Sequence, residues 1–343
     1  MTDILPFPSS KDDAAASVGI VVIGRNEGER LVASLQSLRD IGCPVVYVDS
    51  GSADGSPARA GPLCDAVIEL DPARPFSAAR ARNEGGELLV QRHPEVRHVQ
   101  FLDGDCILLP GWIEQAAGAL DADPRCGIVI GQLQERHPDA SAYNRLCSLE
   151  WKSPAGVIVN YGSIVGIMMV RAQVFTQLGG FNTRLIAGED PEFAVRAGLA
   201  GHTVRKLDVP MAVHDADIHR FAQWWKRSVR AGHAIGQRAH VNGRTAARDC
   251  IRELRSTAVW SLFLPLLILA TVVPTRGWSL LLLLSYPMLG YRIYRWRIAR
   301  GDNASDARLY TGFTLIGKFA NGLGLLKFVS NQMLGRFRLI EYK

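Results

Sequence analysis

The chain has 343 residues, a formal net charge of +6 and 48% hydrophobic residues. That length suits one domain of about 230 residues with a smaller appendage. The six cysteines at 43, 64, 106, 126, 147 and 250 form no CxxC pair and no His/Cys ligand spacing, which excludes a cysteine-built metal site and suits a reducing compartment. Residues 1–17 lack a charged n-region and an apolar h-region, which excludes a signal peptide and predicts a short flexible tail.

Residues 18–23 read as a strand, and Asn26-Glu27 opens a helix whose Leu31, Leu35 and Leu38 recur at i, i+4, i+7. Asn26, Glu27 and Glu29 suit capping and dipole compensation there. A second strand over 45–48 ends in Asp49-Ser50-Gly51-Ser52-Ala53-Asp54-Gly55-Ser56. A carboxylate in that place accepts a hydrogen bond from a base N–H, and the loop N–H groups face phosphate; a plain Asx turn explains the same residues. Ala81-Arg82-Asn83-Glu84-Gly85 reads as a surface helix start. Val99, Phe101 and Leu102 mark a buried strand ending in Asp103-Gly104-Asp105, ahead of the helix start Pro110-Gly111-Trp112. Two carboxylates one residue apart grip a hard divalent cation, which in turn holds a diphosphate. Asp-Gly-Asp is also ordinary turn chemistry, and Cys106 beside it reads as packing.

Strand and helix alternate over 18–130, which predicts a mostly parallel sheet covered on both faces. Ligands bind such sheets at the carboxyl ends of the strands, so Asp49 and Asp103 should face one crevice. Farther on, the pattern predicts a strand over 163–170, a helix, Gly179-Gly180-Phe181, a helix over 191–200 and a strand over 204–209, with His214 four residues beyond Pro210. Gly188-Glu189-Asp190-Pro191-Glu192 places Asp190 as an N-cap before an N1 proline.

Residues 256–275 carry no charge, and neither do 277–291. A span needs roughly 20 apolar residues; the first run meets this, and the second does once Arg292 snorkels. Basic clusters over 226–255 and 292–300 flank the pair, and only Arg276 lies between them. The positive-inside rule then predicts a hairpin with both ends cytoplasmic. Anionic lipid headgroups explain those clusters better than nucleic acid does. Residues 310–334, with Lys318, Lys327 and several glycines, read as an interfacial or re-entrant segment.

The order of these motifs resembles the family 2 glycosyltransferases over residues 18–235. The resemblance implies an α/β GT-A fold, Rossmann-like with a mostly parallel sheet, followed over 236–343 by a basic helical linker, a helical membrane hairpin (about 256–275 and 277–294) and an interfacial segment. It implies an inverting, non-processive enzyme of the cytoplasmic membrane face, most simply a bacterial inner membrane. Its partners would be a nucleotide-sugar donor, a lipid-linked or envelope-glycan acceptor and membrane lipids, with no nucleic acid. By resemblance Asp49 contacts the nucleotide base, Glu27 a nucleotide group, Arg82 lines the donor pocket and Asp103 meets the ribose or donor sugar. Asp105 and His214 would hold Mg²⁺ or Mn²⁺. Asp190 would take the acceptor's proton, as the single carboxylate inverting transfer needs, with Glu189 in support. Ser50 departs from the second Asp common in relatives. After Gln223 the chain reads Trp-Trp-Lys-Arg, so the Q-x-x-R-W motif of processive synthases is incomplete, and one hairpin is too little membrane protein for a secretion channel. Trp224 and Trp225 read as interfacial anchors. A polyprenyl-phosphate hexosyltransferase and a non-catalytic nucleotide-sugar-binding scaffold are the alternatives.

Overall fold

Val18–Gly24 (β1) is buried along nearly its whole length, which is what a strand covered on both faces requires. It centres a sheet described by a computed structural model covering residues 17–335. The other strands are Val45–Asp49 (β2), Ala66–Glu69 (β3), His98–Asp103 (β4), Cys106–Leu108 (β5), Cys126–Glu135 (β6), Gly156–Val157 (β7), Met168–Arg171 (β8) and Thr203–His214 (β9). Their order is β3-β2-β1-β4-β8-β6-β9-β5, with β7 on β9.

The sheet is mixed rather than mostly parallel. β1, β2, β3 and β4 pair in parallel, as does β6 with β9, but β8 is antiparallel to β4 and β6, and β5 and β7 are antiparallel to β9. Only Gly104 and Asp105 separate β4 from β5, far short of the dozen or more residues a parallel crossover needs. The expected mostly parallel sheet is therefore corrected to a mixed one. Three further expectations change. The strand predicted over 163–170 is only Met168–Arg171, preceded by a 3-10 turn at Tyr161–Ser163. The strand predicted over 204–209 runs on to His214, because register shifts around Gln132 and Pro210 absorb the proline. The first helix begins at Glu29, since Gly28 (φ 54) lies outside helical space.

The helix Ala78–Arg92 reaches the sheet through glycines. A Cβ on Gly85 would lie 2.6 Å from Val21 and 2.8 Å from Val48, and one on Gly86 2.8 Å from Phe175. Their absence lets the helix lie close on β1 and β2, which fixes where Arg82 and Asn83 point. Residues 1–16 of the expected tail lie outside the described residues. Ser17 is buried, and its carbonyl accepts from the N–H groups of Arg97 (2.8 Å) and His98 (3.1 Å).

Two compact units divide the chain. The sheet unit takes the residues up to Arg136, Trp151–Thr183 and Glu189–Asp215. The other takes His137–Glu150, Arg184–Gly188 and the chain from Ala216 onward. In this second unit Ile251–Thr271 is, among the described residues, the one helix long and apolar enough to cross a membrane. It begins five residues before the uncharged run. A π-turn at Val259–Phe263 precedes Pro265 and takes up the hydrogen bond that proline cannot make. Arg276 (φ 49) and Gly277 (φ 89) then reverse the chain. The second apolar run is a 3-10 stretch, Trp278–Leu284, leading into the helix Ser285–Ala299. It lies back along the first, with Ser279 donating to the carbonyl of Ile268 (3.3 Å) and Tyr286 to that of Trp260 (2.6 Å). The glycines of 310–334 do not mark a break. They sit in a 31-residue helix, Ala304–Leu334, against Phe221–Asn242. A Cβ on Gly324 would lie 2.0 Å from the Val229 carbonyl, and one on Gly232 2.1 Å from that of Asn321. Small residues let these backbones touch.

Candidate active site

Register brings the first residues together. β1 pairs Gly24 with Asp49 on one side and Ile23 with Asp103 on the other. The carboxyl ends of β1, β2 and β4 thus open at one level, as the crevice rule requires.

Asp49 is 1% exposed and closes its own loop. One carboxylate oxygen accepts from the hydroxyls of Tyr47 (2.8 Å) and Ser52 (2.5 Å), the other from the N–H of Ser52 (2.7 Å). Burial, and then the Asp49 hydrogen bond, push the Tyr47 phenol upward, so it remains a donor. Asn26 (φ 56) ties the neighbouring loop to this one: its N–H donates to the Ser52 hydroxyl (2.8 Å) and its side-chain oxygen accepts from Ala53 (2.8 Å). Gly51 (φ 78) leaves room for the Phe76 ring, 2.8 Å from where a Cβ would stand. The Asx turn is therefore present, and it braces two loops at the strand ends. Glu27 pairs with Arg30 at 2.8 Å, and its Cγ lies 3.4 Å from the Cβ position of Gly104, beside the Asp-Gly-Asp turn.

His214 reaches Asp105 through the sheet. β5 pairs Cys106 with His214, and Nε2 of His214 stands 3.3 Å from Oδ2 of Asp105. The Trp151 ring meets the imidazole edge-on, 4.8 Å between centroids. Nδ1 of His214 is buried with no hydrogen-bond partner among the described residues. Asp105, Cys106 and His214 offer donor atoms within 4.8 Å of one another. A hard carboxylate and an imidazole suit Mn²⁺ or Mg²⁺ with water and phosphate completing the shell. The Cys106 thiol is the soft outlier and donates to Asp105 at 3.4 Å. The donor set fits the divalent cation expected from the sequence.

Arg82 holds the rest of the site. It is 2% exposed. Its Nη2 lies 2.8 Å from Asp103, and its Nη1 lies 2.7 Å from Glu189 and 2.8 Å from Asp190. Burial opposes the guanidinium charge, but Asp190, Asp103 and Glu189 outweigh it and raise the Arg82 pKa further. The Phe181 ring lies 5.5 Å from the guanidinium carbon. Asn83 pins that phenylalanine, accepting from its N–H (2.7 Å) and donating to its carbonyl (2.9 Å). Gly180 (φ 70) makes space, since a Cβ there would stand 2.4 Å from Asn83. Arg196 braces the same turn through the carbonyls of Leu178 and Gly180, both at 2.7 Å.

Asp190 is not the N-cap that the sequence suggests. The helix Glu189–Leu199 starts one residue earlier, so Asp190 lies in its first turn. Sequence reasoning missed Gly166, Trp151 and Phe76. None stands next in sequence to the motif it serves, so local pattern carries no signal for them.

Residues 19–165 match the family described as Glycosyl transferase family 2. The match places a family 2 glycosyltransferase domain over that segment. The chain is 25% identical over 279 residues to Glycosyltransferase AglE of Haloferax volcanii, covering 77% of this chain and 84% of that one. It is 28% identical over 221 residues to the Pre-mycofactocin glycosyltransferase of Mycobacterium tuberculosis, covering 61% of this chain and 43% of that protein, so it spans less than half of that relative. In fold it is similar to the mannosyltransferase PcManGT of Pyrobaculum calidifontis, solved with GDP-mannose and Mn²⁺. The TM-score is 0.52 at 20% identity, covering 94% of this chain and 88% of that one.

Proposed function

We propose that this chain is a glycosyltransferase that works by inversion, with a divalent metal, on a lipid-linked or envelope-glycan acceptor at the cytoplasmic face of a membrane. The observation that carries the reading is the meeting of both motifs in one cluster: Asp103 of the Asp-Gly-Asp turn and Asp190 of the later motif share the guanidinium of Arg82. In this reading Asp49 and Glu27 meet the nucleotide and Asp103 the ribose or donor sugar. Asp105 and His214 hold the cation, which would neutralise charge building on the leaving diphosphate. Asp190 takes the acceptor hydroxyl proton as that oxygen bonds to the anomeric carbon. The bond from that carbon to the diphosphate breaks, the electron pair leaves with the nucleoside diphosphate, and the configuration inverts. Glu189 supports the base beside Arg82.

The membrane part rests on the second unit. Ile251–Thr271 and the antiparallel run after it expose a continuous set of apolar side chains, among them Phe263, Leu266, Leu269, Val273, Trp278 and Leu284. An apolar groove of about 370 Å³ between the helices Phe221–Asn242 and Ala304–Leu334 carries Lys226 and Lys327, which suits a lipid with an anionic head. We read the two apolar runs as a hairpin with both ends cytoplasmic.

The test is sugar release from UDP-, GDP- and dTDP-sugars with Mn²⁺ or Mg²⁺, with and without lipid extract. Metal-dependent release stimulated by the extract supports the reading. Release undiminished in chelator removes the metal, and release indifferent to lipid removes the lipid-linked acceptor.

A further inference from the structure

Arg82 has one positive charge and three carboxylate partners, all within 2.8 Å. Nη1 donates to Glu189 and Nη2 to Asp103, and Nη1 also stands 2.8 Å from Asp190. The residue is nearly sealed, so the guanidinium presents little face to a diphosphate. Its position is also built. The helix Ala78–Arg92 sits close on the sheet through Gly85, Phe181 lies beside the guanidinium, and Gly166 leaves the space it fills. A Cβ at Gly166 would stand 1.9 Å from Nη2 of Arg82 and 3.2 Å from Oδ2 of Asp103.

We propose that Arg82 is a positioning residue that fixes the base Asp190 and couples it to the donor-side carboxylate Asp103, rather than a ligand of the donor itself. This rests on the functional reading above, in which Asp190 is the base. A planar fork can span carboxylates on opposite sides of a crevice; an ammonium, which donates from one atom, cannot. The coupling ensures that Asp190 is oriented when the donor side is in place. Glu189 and Asp103 share the Arg82 charge with Asp190.

The experiment compares the full-length wild type with Arg82→Lys, Gly166→Ala, Asp190→Asn and both double variants carrying Asp190→Asn. Nucleoside diphosphate release is measured from whichever of UDP-glucose, UDP-galactose and GDP-mannose the wild type consumes fastest. Arg82→Lys keeps the charge, and Gly166→Ala displaces the guanidinium while leaving every charged side chain in the sequence unchanged, so either decides if the other fails to fold. We expect kcat to fall about 10- to 100-fold in each, the effect of a misplacement near 1 Å. Donor KM should stay within about threefold, because uniform donor binding is untouched. In the Asp190→Asn background the same changes should cost less than about threefold, since residues acting as a unit are non-additive. A raised donor KM at unchanged kcat, or the same loss in the Asp190→Asn background, overturns the inference. A wild type inert toward all three donors, or one in which Asp190→Asn is silent, overturns the underlying reading and this inference with it.

Discussion

Buried charge is arranged in opposite ways in the two units. In the second unit the pairs balance. Arg238 and Asp249, each 7% exposed at the side chain, form a two-pronged bond at 2.6 and 3.0 Å. Arg297 pairs with Asp302, their side chains 4% and 7% exposed. In the sheet unit one guanidinium faces Asp103, Glu189 and Asp190, with Asp105 two residues along the chain. Taking each group as ionised, the three carboxylates and Arg82 leave two negative charges uncompensated. Desolvating such an excess costs more than mutual attraction returns. A structural network closes its own account of charge, whereas this one is completed by a cation and by a proton in transit. The difference separates a brace from a site.

The largest break should come at the cation. Asp105→Ala removes a hard oxygen ligand that no neutral neighbour replaces. Turnover should vanish, together with the metal-dependent part of nucleotide binding measured by calorimetry. Retained activity, or full wild-type activity in chelator, would undo the assignment of Asp105 and His214.

Next comes the base, where the balanced and unbalanced networks give opposite stability signs. Asp190→Asn should lower kcat by roughly 10²–10⁴-fold, the usual worth of general base catalysis. It also removes one of three mutually repelling carboxylates, so the melting temperature should hold or rise. Asp249→Asn in the balanced pair should instead cost about 3–5 kcal/mol, because it strands the Arg238 charge. Melting curves of the two variants side by side check the contrast. Near wild-type turnover by Asp190→Asn would give weight to a phosphate acceptor, which arrives already deprotonated.

How legible this was from sequence follows from what each feature depends on. The Asp-Gly-Asp turn, Asp49 and the first strands rest on local apolar runs and turn residues, and they fall where the motifs put them. The sheet's mixed direction does not, since it rests on which distant strands meet: β8 runs antiparallel to β4 and β6, and β5 antiparallel to β9. That pairing is also what carries His214 to Asp105. Arg82 looked like a surface helix start, and its burial depends on Gly85 and Gly166, one of them far along the chain. Asp190-Pro191 mimics a cap because the residue pair is right, while the helix boundary is set one residue earlier. The glycines of 310–334 suggested a broken segment because their role is a partner helix that a linear reading does not contain.

Topology tests the second unit without touching the site. Tags at residues 1 and 343 should both report a cytoplasmic location if the apolar runs form a hairpin. A C-terminus on the opposite side would demand an odd number of spans.

The smallest effect expected is a pH dependence confined to the second unit. His233 is buried, with Phe328 edge-on at 5.5 Å and Asn331 3.3 Å from its Nε2. Burial, and then the charge of Lys327, push its pKa down from 6.5 to about 4. The sign follows from linkage. The unfolded chain takes up the proton near pH 6.5 and the folded chain only near 4, so U binds more protons between those values and stability falls as pH drops through the window. Above pH 6.5 the group contributes no slope, and below about 4 the loss is complete. At pH 5 the cost is about 2 kcal/mol, from 1.36 kcal/mol per unit of separation. Melting of the wild type in detergent at pH 7 and pH 5 measures the drop, and His233→Gln, which cannot be protonated, should reduce it by that amount. An unchanged difference in the variant would place the acid sensitivity elsewhere in the molecule.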